Sequence, residues 1–93
     1  MKAGDVIMYR WNGSRQMGLI MDCRQIECGP IGPRRERQSL MCALIHWFEN
    51  DGGVFPEAFN EQGMRVLRED RQLNWVPIQR RPGINVIDVV APG

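Results

Sequence analysis

Residues 42–53, Cys-Ala-Leu-Ile-His-Trp-Phe-Glu-Asn-Asp-Gly-Gly, constrain this chain more than any other stretch. They open on a run of strand-forming apolar residues and close on glycines that permit the positive φ of a tight reversal. Successive side chains of a strand point to opposite faces, so Ala43, Ile45 and Trp47 share one face and Cys42, Leu44, His46 and Phe48 the other. Both faces are largely apolar. A strand that is apolar on both sides belongs inside a sheet, with Trp47 as the expected core residue.

Turn chemistry divides the rest into short extended segments. Residues 5–11 are rich in β-branched and aromatic side chains and run into Asn12-Gly13, the strongest short hairpin signal in the sequence. Residues 16–23 form the expected returning strand, with Gly18 marking a bulge or a close backbone approach. Residues 24–38 contain Gly29-Pro30-Ile31-Gly32-Pro33 followed by Arg34-Arg35-Glu36-Arg37, and residues 24–41 read as an extended, mobile, basic loop, dispensable from 29 to 37. Pro56 ends any ladder begun after the Gly52-Gly53 reversal and suits a helical turn over 56–61; residues 56–72 form an insertion. Residues 73–78 are an edge strand or strand end because of Pro77, and residues 84–90 a last strand. The expected fold is a single all-β domain of five to six short antiparallel strands, curled into a small barrel that removes its edges.

Composition narrows the functional classes. A 93-residue chain supports one modest core. No apolar run approaches a bilayer span and no signal-type core follows the opening residues, so the expected setting is cytoplasmic or particle-bound, without membrane or secretion. The net charge of +1 offers no bulk attraction to nucleic acid, yet it is segregated: +3 over residues 1–41, −4 over 42–62 and +2 over 63–93. Eleven of the twelve basic residues are arginine, whose planar fork suits phosphates, carboxylates and protein surfaces.

No enzyme is expected. Cys23, Cys28, Cys42 and His46 are the metal-ligand residue types, but Cys42 and His46 on one extended strand lie roughly 13 Å apart, too far to share a zinc ion or to act as a nucleophilic dyad. Three cysteines argue against a secreted disulfide scaffold, with Cys23 and Cys28 the nearest pair in sequence. The paired carboxylates, Glu49 with Asp51 and Glu69 with Asp70, fall in turns where water keeps ordinary acidity. Neither catalytic residues nor metal ligands nor a cofactor are assigned.

Taken together, Gly4-Asp5-Val6-Ile7, Gly18-Leu19-Ile20-Met21, Ala43-Leu44-Ile45-His46-Trp47 before an Asp-Gly turn, a short Trp-containing strand and a valine-rich last strand resemble the SH3-like small barrel of the KOW and Tudor kinds. Within that group the chain is most similar to short proteins encoded by tailed bacteriophages. The resemblance implies a non-enzymatic interaction or structural module, an assembly or virion component that associates with itself or with a larger assembly. The alternative it implies is a nucleic-acid-binding barrel that uses Arg34, Arg35 and Arg37, with Arg10, Arg15 and Arg24, beside an aromatic groove of Tyr9, Trp11 and Trp75.

Overall fold

In a computed structural model, described over residues 1–48, 55–66, 73–78 and 87–93, the chain is all-β. Strand β1 (Val6–Trp11) turns at Asn12-Gly13 into β2 (Ser14–Ile31); β3 (Glu36–Trp47), β4 (Asn74–Pro77) and β5 (Ile87–Ala91) follow. They form one antiparallel sheet in the order β4-β3-β2-β1-β5. Strand β3, built from the run that opened the sequence reading, is paired on both sides as its two apolar faces require. Strand β4 is an edge, as Pro77 demands. Among the described residues β4 and β5 do not pair with each other, so the sheet is open and the expected closure into a barrel is not present there.

The expected basic loop is instead a hairpin. Residues 24–31 continue β2 and residues 36–41 begin β3, leaving only Gly32–Arg35 as a turn, closed by the Arg35 N–H donating to the Gly32 carbonyl at 3.0 Å. Pro30, which argued against a ladder, sits in a second irregularity between Cys28 and Ile31, where the ladder skips and asks no N–H of it. The Gly-Pro composition that suggests a loop marks an irregularity within the ladder instead. Nor is there a helical turn over 56–61: Phe59 bridges Trp75 and Arg65 in extended conformation. The reversal at residues 50–53 lies outside the described residues, as do 67–72 and the start of the expected last strand.

Two bends shape this sheet. Eighteen residues of β2 would span about 59 Å if straight, whereas the longest extent of the molecule is 35 Å. The ladder shifts register at Met21, between the pairs Ile20–Ile45 and Asp22–Leu44. Such a bulge adds twist and reverses which face the following residues occupy. Before it, Ile20 lies on the face of Ala43 and Ile45; after it, Ile26 and Cys28 lie on the opposite face, with Leu40 and Cys42.

The sheet therefore has a core on each side. The first joins Ile7, Tyr9, Ile20, Ala43, Ile45, Val76 and Ile87. The second joins Ile26, Cys28, Leu40, Cys42, Phe59 and Trp75. Phe59 and Trp75 exchange two backbone hydrogen bonds of 2.8 Å, and Gly63 anchors the same segment by accepting from the Gly29 N–H at 2.9 Å. Gly63 has φ of +79° and abuts the Glu27 carbonyl so closely that no side chain fits. Arg37 completes the closure by donating to the carbonyls of Glu27 and Gln62 at 2.7 and 2.8 Å.

Asp5 joins the two ends of the described chain. Its carboxylate accepts from the Gly93 and Lys2 backbone N–H groups, both at 3.0 Å, while the Ile20 N–H donates to its carbonyl. The Gly93 hydrogen bond, supported by Lys2 and the Met1 amino group, holds the Asp5 carboxyl below its ordinary pKa against the opposing effect of burial.

Trp75, 2% exposed, is the large side chain at the centre, whereas Trp47 is only partly buried and meets Phe55 edge-on at 5.3 Å. Trp75→Ala is expected to cost about 3–5 kcal/mol and Trp47→Ala about 1–2 kcal/mol, ranked by urea denaturation of the two variants. Asp5→Asn should destabilise the protein above about pH 4. A group with a depressed folded pKa stabilises above its unfolded value and loses that contribution as pH falls through the folded one. The gap between wild type and Asp5→Asn should accordingly narrow on acidification below that point; a gap independent of pH would show that the carboxylate charge is irrelevant to the latch.

Candidate interaction surface

The candidate binding residues do not converge. Arg34 and Arg35 are exposed on the turn at one end of the β2–β3 hairpin, and Arg37 is committed to two backbone carbonyls behind it. Trp11 is 45% exposed beside the β1–β2 turn, at the other end of β2. Tyr9, 4% exposed, belongs to the first core and Trp75 to the second, on opposite faces. An aromatic groove flanked by the hairpin-tip arginines is therefore not formed. Arg24 is also engaged: its guanidinium covers the Trp75 ring at 4.7 Å from the centroid and lies 3.4 Å from the Asp22 carboxylate.

What the sheet presents instead is an apolar surface. Directly opposed residues of an antiparallel pair project from the same face. The pairs Val6–Leu19, Met8–Met17 and Leu19–His46 thus define the side of β1, β2 and β3 that faces away from the first core. Phe48 extends the row, its N–H donating to the Met17 carbonyl at 2.9 Å. Met17 is 41% and Phe48 50% exposed, with Val6, Met8 and Leu19 half-buried against one another's strands and exposed Met21 alongside at the bulge.

The other solvent-facing half of the sheet behaves differently. Past the bulge, the side opposite the second core carries Gln25, Glu27 and Ser39, with Gln25 Nε2 donating to Ser39 Oγ at 3.0 Å, and one exposed methionine, Met41. Polar groups dominate the distal outer face; the proximal one carries a stripe of methionine, leucine, valine and phenylalanine bordered by His46 on β3 and by Arg10, Arg15 and Asp88 towards the β1–β2 turn and β5. The apolar stripe is also continuous with the second core, because half-buried Leu44 follows Leu40 and Cys42 along the same side of β3 and precedes His46 and Phe48. Residues of the 55–66 segment and β4 cover the distal stretch of that side, and among the described residues nothing covers its continuation.

The cysteines have a different geometry from the one their spacing suggests. All three are free thiols, and the close pair is Cys28 with Cys42, whose Sγ atoms approach to 3.7 Å inside the second core. Spacing along the chain points to Cys23 and Cys28, but these two lie five residues apart on an unbroken stretch of β2 and so on opposite faces. Burial pushes the Cys42 thiol up to about 12, and raises that of Cys28 as well. No group of three or more potential metal-ligating side chains occurs among the described residues. The carboxylate pairs at 49 and 51 and at 69 and 70 lie outside them. No described helix is long and apolar enough to cross a membrane.

No protein-family model matches this chain, and no curated protein or solved structure is significantly similar to it.

Thiolate is the reactive form of cysteine, and burial withholds both access and ionisation from Cys28 and Cys42. In the native protein at neutral pH, iodoacetamide should modify half-buried Cys23 first, and the other two only on unfolding. Peptide mass mapping over time checks this order; early modification of Cys42 would mean that the second core opens readily.

Proposed function

We propose that the protein is a non-enzymatic interaction module that associates, in the first place with copies of itself, through the proximal outer face of β1, β2 and β3. The observation that carries this reading is the contrast between the two solvent-facing halves of one sheet: polar at Gln25, Glu27 and Ser39, and an apolar stripe of Met8, Met17, Leu19 and Phe48 on the other, rimmed by Arg10, Arg15, Asp88 and His46. Methionine is a flexible and polarisable side chain that adapts to a partner's contour, and an aromatic residue beside it supplies a large contact area. The segregation of charge into basic ends and an acidic middle supports contact between unlike patches of neighbouring copies.

The finer assignment, an SH3-like small barrel serving as a component of a phage particle or a related assembly, is supported by the Gly4-Asp5 opening and the apolar strand motifs quoted above. In a particle, a face of this kind would be covered permanently.

Sedimentation velocity across a wide concentration range tests the proposal. The expected result is a mass that rises from one chain to two or more, and a return to the single-chain mass in Met17→Asp and Phe48→Asp, with melting temperatures close to wild type because both side chains are exposed. A wild-type protein that keeps the mass of one chain at the highest attainable concentration overturns the proposal, as does an assembly indifferent to both substitutions.

A further inference from the structure

Strand β2 is the middle strand of the five, so it runs down the centre of the outer face. Its residues on the side that carries the apolar stripe are, in order, Arg15, Met17, Leu19, Asp22 and Arg24, the step from Leu19 to Asp22 being lengthened by the bulge at Met21. An apolar pair therefore lies between a cation and an anion. Arg15 is exposed and stands directly opposite Arg10 of β1, an arrangement of like charges that is destabilising. Asp88 meets Arg10 at 3.1 Å, whereas Arg15 has neither an ion-pair nor a hydrogen-bond partner among the described residues. Asp22 is half-exposed: Oδ1 accepts from the Cys23 N–H at 2.8 Å, and Oδ2 lies 3.4 Å from Arg24. That long contact leaves lone pairs of the carboxylate for a further cation.

Two copies that meet through the same face are related by a two-fold axis, which sets each residue of the patch against a fixed counterpart. With the two β2 strands parallel, Arg15 faces Arg15 and Asp22 faces Asp22. With the strands antiparallel and centred on Leu19, Arg15 faces Arg24 and Met17 faces Asp22; centred on Met17, Arg15 faces Leu19. Centred between Met17 and Leu19, Arg15 faces Asp22 at both ends and Met17 packs on Leu19. Charge complementarity selects this last register. The neighbouring strands agree with it, because an axis lying across the strands stacks β1 on β1, with Val6 against Met8, and β3 on β3, with His46 against Phe48. Each ion pair then lies roughly 10 Å from the axis. Sheets packed face to face cross at about 30°, which offsets the pair sideways by about 5 Å, a gap that an arginine side chain spans.

Resting on the self-association described above, we propose that two copies pack outer face on outer face about a two-fold axis crossing β2 between Met17 and Leu19, with Arg15 of each copy ion-paired to Asp22 of the other. Sedimentation velocity of charge-reversal variants tests this arrangement. Arg15→Glu alone sets two carboxylates against each other at each end of the interface, and Asp22→Arg alone sets two guanidinium groups. Each should raise the dissociation constant about tenfold or more. An equimolar mixture of the two variants should recover the wild-type constant, because every ion pair of a mixed dimer again joins an acid to an arginine. The double variant should recover it too. Both sites are exposed, so melting temperatures should stay near wild type.

Wild-type chains that stay single at the highest attainable concentration overturn the arrangement together with the face that carries it. Association that Met17→Asp abolishes but both reversals leave intact overturns the arrangement and leaves the face in place. So do reversals that weaken association and are repaired by neither the mixture nor the double variant.

Discussion

The pairing of β2 with β3, offset by one residue at Met21, is the constraint on which the rest of the molecule depends. Without the bulge, Ile20 and Ile26 would lie on one side of the sheet, and the second core would lose Ile26 and Cys28 to solvent. With it, the hairpin bends within a 35 Å molecule and buries one face near β1 and the other near its tip. Each core then recruits its own cover: β1 and β5 for the first, Phe59 and Trp75 for the second. The Gly63–Gly29 hydrogen bond and the Arg37 contacts hold the second cover shut, so an arginine that looks like part of a basic patch in the sequence is a structural strap.

Much of the fold was legible where local chemistry and tertiary context agree. Asn12-Gly13 turned as the dipeptide dictates, Pro77 lay on an edge, and the double-sided apolar run 42–47 became an interior strand. Gly18 proved to be a close approach, with no room for a side chain beside the His46 carbonyl, while the bulge itself fell three residues later at Met21, which carries no glycine or proline to announce it. The hairpin tip was misread for the complementary reason: Gly29-Pro30 breaks a regular ladder, and only the partner strand shows that the ladder resumes at Ile31. Trp75 and Trp47 exchanged their expected places because the depth of burial depends on a second core that no local pattern reveals.

The candidate surface was hidden by the same two-sidedness. Met8, Met17, Leu19 and Phe48 occupy alternating positions that any strand would show, and alternation alone does not say which set faces water. Assigning the outer set needs the position of the first core, which fixes Ile7, Ile20 and Ile45 inside. The candidate arginines and aromatics, chosen by residue type, scattered across both ends of β2 and both faces of the sheet. Arg34 and Arg35 stay exposed at the tip of the β2–β3 hairpin, and Arg10, Trp11 and Arg15 at the β1–β2 turn, at opposite ends of β2.

The offset at Met21 also governs how this gene tolerates change in length. Along β2 as far as Cys28 the buried positions, Gln16, Gly18, Ile20, Ile26 and Cys28, are all even-numbered, so the strand reads as unbroken alternation although its geometry shifts midway. Along β3 the geometry is unbroken, and it is the sequence that changes phase, at the adjacent buried residues Cys42 and Ala43. The two strands therefore compensate each other. A single-codon deletion of Met21 would erase the offset yet keep every later pair, from Asp22–Leu44 onward, on the face it already occupies, so it would cost the sheet its local twist and not its two cores, whereas a deletion beyond residue 22 would turn the later side chains of β2 to the wrong side. Met21 is therefore the one place along the paired stretch of β2 before the hairpin tip where the chain can lose a residue without turning a core inside out.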